Sequence, residues 1–348
     1  MIKRIDLNTY KCFNNQTFDM SFLNVLMGIN GSGKSTLIQL LLLILIQRNS
    51  NTILSKESLN ITSFQNLINY ESEEIFINIT CCCENESNIK VKLEESNKKN
   101  IKYIRTGRQN HPFEYISASR INPSWFYKGY ENSETELGFN GEYTLSFLEL
   151  NGANKTIHTD FYNYFGFKDS SDNSLMSQVR SFMGFVSSGI NIYPATISET
   201  NLVRVLYKYD DCTEQVNPLN IGYGITNSLP VVVSLLKAKP GEIIILENPE
   251  NNIHPKGQTK IGELIAYVAS KGVQVFVETH SDHVLNGIRI FSIKREFSNN
   301  INIMYFNREK NVSSFTSVKI DKNGGFSKMP EGFMDEWDNS LDTMLGIK

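Results

Sequence analysis

A chain of 348 residues with 40% hydrophobic and 20% charged residues is long enough for one elaborated α/β unit or two modest domains, and its composition excludes wholesale disorder, a collagen-like repeat and a multi-span membrane protein. Its 34 Lys plus Arg against 37 Asp plus Glu leave a net charge of −3, which is not the footprint of a protein that coats DNA, although a local basic patch is compatible with it. The cysteines, Cys12, Cys81, Cys82, Cys83 and Cys212, have neither the even number of a disulfide framework nor the spacing of a zinc site, and point to a reducing cytoplasm.

The first residues, MIKRIDLNTYKCF, alternate polar and apolar without a continuous apolar run, so they predict a strand over Ile2 to Asn8 rather than a secretory leader. A second strand, Leu23 to Met27, leads into a glycine-rich turn and an apolar helix. The apolar run of that helix, Leu40 to Ile46, is far short of the roughly 20 residues needed to cross a bilayer and reads as a helix buried on both sides. From 49 to 108 the chain turns polar, with alternating stretches at Ile75 to Cys83, Ile89 to Leu93 and Ile101 to Arg105 that predict a hairpin and a further strand. From Tyr115 to Asn173 there are turn signals at Asn140-Gly141 and Asn151-Gly152 but no sustained period. Helical spacing returns at Leu175 to Val186. From Ile221 the order is helix, the run Ile243 to Leu246, helix, the run Val273 to Val277, helix, which predicts parallel strands joined by crossover helices. The tail predicts strands at Ile301 to Phe306 and Ser314 to Ile320, followed by PEGFMDEW.

The strongest chemical signal is GINGSGKS at Gly28 to Ser35, which matches G-x-x-x-x-G-K-[ST] between a strand and a helix. Its glycines let the backbone aim successive N–H groups at phosphate oxygens, and the helix from Lys34 adds its positive end. Asn30, Gly31, Ser32, Gly33, Lys34, Ser35 and Thr36 are the nucleotide-binding candidates, with Lys34 reaching the β and γ phosphates of ATP and Ser35 holding Mg2+. IIILENPENNIHP puts Glu247 at the end of an apolar strand, on the edge where a parallel α/β sheet binds its ligand, and marks it as the acid on the Mg2+ side. Asn248 follows, where many P-loop ATPases carry a Glu that polarises water. An amide accepts no proton, so base function passes to Glu250 or hydrolysis is slow; Glu250 reads equally as a capping or solvated acid.

A third strand, in VFVETHSDH, ends near His280, a candidate sensor of the γ-phosphate, while His283 reads as a surface residue and His254 as loop packing. IGYGITNSLP places Gly222, Gly224 and Thr226 ahead of a helix. As a second phosphate cradle it implies a site completed by another subunit; as a plain glycine turn it caps a core helix.

In this order and at these intervals, the motifs resemble the ABC-type ATPase heads of the RecF, SMC and overcoming-lysogenization-defect class, and most closely the small AAA-type ATPases of bacterial phage-defence operons. The resemblance covers the first 50 residues and the chain from Ile221 onward. It implies an α/β P-loop NTPase with a mostly parallel core sheet and an inserted β-rich subdomain, as a single domain over 1–348. Its regions would be a P-loop half (1–48), an inserted region (49–173), a half with signature, acid and switch histidine (174–300), and a C-terminal extension (301–348). The same resemblance makes GYGIT a signature donated in trans within a homodimer, His280 the switch histidine, Lys11 of Tyr10-Lys11-Cys12-Phe13 a nucleotide neighbour, and Arg120 of YISASR a nucleotide or subunit contact. Gln65 is the nearest candidate for a Q-loop glutamine, and a surface glutamine is its other reading.

The expected function is a cytoplasmic, Mg2+-dependent ATPase acting as a dimerising switch in prokaryotic defence with a separate effector such as a nuclease. Only about 50 residues follow the last βα unit, too few for a nuclease domain of ordinary size, and no heptads between Gly33 and Gly222 predict coiled-coil arms. Two further readings stand beside it: an ATP-binding scaffold that hardly hydrolyses, motivated by Asn248, and a RecF-like DNA-repair clamp. The clamp would use Lys98, Lys99, Lys102, Arg105 and Arg108 around Tyr103 to track nucleic acid, where a solvated hairpin face is the alternative. Phe333, Met334 and Trp337 are either a docking surface or part of a cover over the sheet.

Overall fold

The computed structural model describes residues 1–46, 52–53, 65–69, 72–74, 76–84, 88–96, 100–107, 111–130, 136–167 and 172–347. In chain order the strands are β1 (Ile2–Tyr10), β2 (Phe13–Asp19), β3 (Leu23–Gly28), β4 (Thr52–Ile53), β5 (Phe76–Cys83), β6 (Ile89–Ser96), β7 (Asn100–Thr106), β8 (Phe113–Ile116), β9 (Tyr127–Lys128), β10 (Ile190–Thr196), β11 (Leu202–Tyr209), β12 (Ile243–Glu247), β13 (Gln274–Glu278), β14 (Ile301–Glu309) and β15 (Val312–Val318). The helices are α1 (Lys34–Leu45), α2 (Thr144–Asn151), α3 (Phe161–Phe165), α4 (Leu175–Met183), α5 (Tyr223–Lys237), α6 (Pro255–Ser270), α7 (Asp282–Arg295) and α8 (Glu336–Met344). The chain forms two compact units, Met1–His111 with Phe297–Lys348, and Pro112–Glu296.

In the first unit β1 pairs antiparallel with β2 on one side and with β5 on the other, Ile5 lying opposite both Phe18 and Cys81. The strands of the polar 49–108 stretch extend the sheet that β1 begins, in the order β2-β1-β5-β6-β7-β4. Alternation revealed the strands but not their partners, because Leu7 of β1 lies opposite Ile79 of β5, 72 positions on in the chain, with no local cue.

 Pairing across so long a stretch of chain leaves no trace in the local pattern of either strand.

In the same unit β14 runs parallel to β3, with Ile303 opposite Val25, and antiparallel to β15. All of Leu40 to Leu45 in α1 is buried, as the apolar run predicts. The basic stretch is only partly a surface patch: Tyr103 is buried and its hydroxyl donates to the Leu43 carbonyl, Lys102 pairs with Glu94 at 2.9 Å, and Arg105 donates to the Ile46 carbonyl. Tyr103 is thus not a platform for a nucleic-acid base, because β7 turns it inward with Ile101; Lys98, Lys99 and Arg108 lie outside the described residues. In the tail, Phe333 is buried against Tyr305 and Phe326, whereas Trp337 on α8 is 70% exposed, so only the first of the two acts as a cover.

In the second unit β8, β12 and β13 are parallel, with Glu247 and Glu278 paired at the C-terminal ends of β12 and β13. A second, antiparallel sheet has the order β10-β11-β9. The stretch 115–173 has no readable period because its elements are short, α3 holding five residues. α4 ends at Met183, three residues before its expected end, at Gly184. Phe161, Tyr164, Phe165, Phe182, Tyr267 and Phe291 form an aromatic cluster in this unit. Among the described residues no helix is long and apolar enough to cross a membrane.

His158 lies against that cluster, its ring 5.4 Å from that of Tyr267; it is fully buried, and neither ring nitrogen has a hydrogen-bond partner of good geometry. Burial, aided by the charge of Lys271, pushes its pKa down to about 4. A histidine depressed in this way contributes stability that is fully present above its unfolded pKa of about 6.5 and is lost as pH falls toward the folded value. Urea unfolding is expected to show a loss of about 2 kcal/mol from this residue between about pH 7 and about pH 5. The loss should vanish in His158→Phe; an equal slope in that variant would assign the pH dependence elsewhere.

Candidate nucleotide site

Within the first unit, β3 is buried up to Met27 and delivers Gly28 to the turn that precedes α1. Gly28 has φ 135°, and a Cβ there would lie 2.2 Å from the Phe306 carbonyl of β14, so no side chain fits. The Lys34 ammonium donates to the carbonyls of Gly28 and Ile29, both at 2.8 Å, and the residue is only 3% exposed. Ser32 is fully buried with its hydroxyl unpartnered. Helix α1 begins after Gly33 with no side-chain cap and no acid in its first turn, which leaves its positive end to an anion. Asn30, Gly31 and Ser35 are exposed, and Thr36 is half-buried, taking a long contact from the Cys12 thiol at 3.6 Å. These features fit a polyphosphate.

Lys11 sits at the β1–β2 turn with φ 51°, and its ammonium donates to Gln39 of α1, a residue that carries no motif and was not among the candidates. Burial lowers its pKa. Gln65 opens a short turn at Gln65–Leu67 in which Leu67 accepts from the Lys11 amide, but its side chain lies outside what is described.

The second unit holds the other candidates. Glu247 accepts from the Tyr115 hydroxyl at 3.0 Å and from the Ala118 amide at 3.1 Å. Burial first, and the adjacent Glu247 second, push the Tyr115 phenol well above its usual pKa, so it remains a donor. Asn248 adopts φ 43°, a left-handed conformation that Asn tolerates better than Glu, and its side-chain oxygen is buried without a partner. Glu250 accepts from the Thr279 hydroxyl at 2.8 Å and from the His280 amide at 2.9 Å, so it ties the loop after β12 to the loop after β13. His280 and His283 are exposed, and His254 is the N-cap of α6, its Nδ1 accepting from Lys256, which replaces the loop-packing role expected of it.

The signature stretch divides. Gly222 and Tyr223 are exposed at the start of α5, but Gly224 and Thr226 are buried, with a Cβ on Gly224 falling 2.1 Å from the Asn252 carbonyl. Gly224 therefore serves close packing inside the unit, and Thr226, whose hydroxyl has no hydrogen-bond partner of good geometry, is not presented to another chain. Arg120, 4% exposed, gives Nη1 to the carbonyls of Glu247 (2.6 Å) and Ser117 (3.1 Å), Nη2 to the Asn248 carbonyl (2.7 Å), and Nε to the Asn227 carbonyl (3.0 Å). It is an internal clamp and not an exposed contact. Among the described residues no cluster of three or more His, Cys, Asp or Glu is arranged to hold a metal.

A family model described as "AAA domain, putative AbiEii toxin, Type IV TA system" matches residues 23–286, which include the P-loop, the acid at the end of β12 and His280. The chain belongs to this AAA-domain family. A second family, described as a protein of unknown function, matches residues 298–344. No curated protein matches the chain. Among solved structures, an SMC head bound to the C-terminal winged-helix domain of ScpA is 13% identical, with a TM-score of 0.55 over 92% of this chain and 98% of the other. The SMC head of Pyrococcus furiosus, with an extended coiled coil and bound to the C-terminal domain of ScpA, is 11% identical, with a TM-score of 0.56 over 99% of each chain. At such identities the likeness is one of fold. Family and fold together give this AAA-domain protein a P-loop nucleotide-binding fold like that of SMC heads.

Proposed function

We propose that this AAA-domain protein is a Mg2+-dependent ATPase that converts ATP to ADP and phosphate and uses the bound nucleotide to join two copies. The observation that supports this most is the placement of Lys34, an ammonium buried over the loop on two carbonyls at the uncapped start of α1. From there a side-chain movement, not a refolding, gives it phosphate oxygens in place of carbonyls. Ser35 would be a protein ligand of Mg2+, which commonly takes one or two protein oxygens and completes its shell with phosphate and water. The exposed Gly222 and Tyr223 at the start of α5 support donation of that helix end to a second copy. Resemblance to the ATPases of phage-defence operons supports a role in cytoplasmic defence with a separate effector.

Phosphate release from ATP, with and without Mg2+, tests the reading when it is run beside the sedimentation mass of the protein with and without ATP. Mg2+-dependent release and a doubled mass are expected. A doubled mass without release would favour the second reading, an ATP-holding scaffold, which the amide of Asn248 motivates. Neither result would overturn both.

Glu250→Gln presents an NH2 group where the parent carboxylate receives two donors. Turnover is expected to fall about tenfold or more while ATP affinity stays within about twofold. An unchanged turnover number would remove Glu250 from the reaction.

A further inference from the structure

Arg120 is a cation inside the second unit whose role the nucleotide chemistry does not require. Its guanidinium spreads its donors over Ser117 in the loop after β8, Glu247 and Asn248 at the end of β12, and Asn227 early in α5. Nη2 and Nε also meet the Asn227 side-chain oxygen, at 3.2 and 3.3 Å. Burying a charge is costly unless its donors are satisfied, and an apolar side chain would fill the same space without that cost. Burial brings its pKa only down to about 10, so the charge persists at neutral pH. What an arginine adds over an apolar residue here is a rigid planar fork that fixes three backbone segments relative to one another.

Those segments have distinct chemistry. The end of β12 carries Glu247, whose carboxylate is gripped by Ala118 from the same loop that supplies Ser117. Helix α5 begins with the exposed Gly222 and Tyr223, and Asn227, 4% exposed, faces inward from it. We propose that Arg120 is a positioning residue that couples the start of α5 to Glu247, so that contact of a second copy with Gly222 and Tyr223 sets the position of the acid. This coupling rests on the ATPase reading above.

The test uses the full chain with Asn227→Ala, Asn227→Asp and Arg120→Lys, measuring phosphate release against ATP concentration and equilibrium binding of a fluorescent ATP analogue. Asn227→Ala removes the side-chain acceptor, and a lysine cannot span the carbonyls that the fork spans. Both are expected to lower the turnover number about tenfold or more with analogue affinity within about threefold, while Asn227→Asp, which keeps an acceptor for Arg120, stays within about threefold of the parent. Loss of folding would lower analogue binding and turnover together. Parent-like turnover in Asn227→Ala, or a loss in Asn227→Asp equal to that in Asn227→Ala, overturns the coupling. If the parent protein itself releases no phosphate, the ATPase reading fails and the coupling falls with it; if the parent turns over and Asn227→Ala does too, only the coupling falls. Should Asn227→Ala not fold, Arg120→Lys decides by the same criterion.

Discussion

Lys34→Ala is expected to abolish phosphate release and to weaken nucleotide binding by roughly 100-fold or more, with the fold retained. The ammonium now donates to the carbonyls of Gly28 and Ile29. With phosphate bound, those contacts would give way to charge-assisted hydrogen bonds, each contributing about 1.5–3 kcal/mol. Two of them lost together correspond to a factor of roughly 100 or more in affinity, which places the variant beyond ordinary titration ranges. The structural cost is smaller, because alanine is a good helix former at the first position of α1 and one of the two carbonyls it leaves, that of Ile29, lies on an exposed residue. Titration with a fluorescent ATP analogue, beside a thermal melt, separates the two effects. Parent-like phosphate release in Lys34→Ala would mean that the turnover comes from another site or another protein.

The nucleotide half of this site was legible because its determinants are local. A strand, Gly28 to Ser35 and a helix are consecutive in the chain, and the runs that became β12 and β13 are short, apolar and bounded by polar residues. Arg120 could be named but not placed, since its partners are mostly main-chain carbonyls, which every residue has, contributed from positions more than 100 residues away. Gly224 and Thr226 were read as donors to another chain because a glycine-rich helix start looks the same whether it meets a phosphate or the carbonyl of Asn252. Tyr103 was recoverable: Ile101 and Tyr103 alternate with Lys102 in β7, and that period alone turns the aromatic ring to the face opposite the lysine. The left-handed Asn248 had no sequence cue beyond its being asparagine, yet it gives a physical reason for an amide at that position that is independent of catalysis.

Gly287→Val is expected to destabilise the protein by about 4 kcal/mol, which lowers the melting temperature by about 10 °C for a domain of this size. Helices α6 and α7 meet at two glycines. A Cβ on Gly287 would lie 2.0 Å from the Thr259 carbonyl and 2.9 Å from the Glu263 amide nitrogen, and one on Gly262 would lie 2.0 Å from the Val284 carbonyl. These are backbone atoms, which cannot rotate away, so the helices must part and forfeit packing along their length. Gly287→Ala sets two effects against each other: helix propensity favours alanine by about 1 kcal/mol, and separation of the helices opposes it by more, for a net loss of about 2 kcal/mol. Gly241→Ala is the control for backbone strain without crowding, since Gly241 has φ 86° and open space around its Cβ position; its cost should stay near about 1 kcal/mol. A functional consequence follows from where the two helices begin. α6 starts after the loop that carries Glu250, α7 starts after His280, and Glu250 bridges those loops through Thr279 and the His280 amide. Parting the helices at Gly287 therefore strains that bridge, and turnover in Gly287→Ala should fall even well below its melting temperature, whereas Gly241→Ala should turn over normally. A Gly287→Ala protein that melts with the parent would show that α6 and α7 can separate without cost, and would remove the helix contact as the element that sets the spacing of Glu250 and His280.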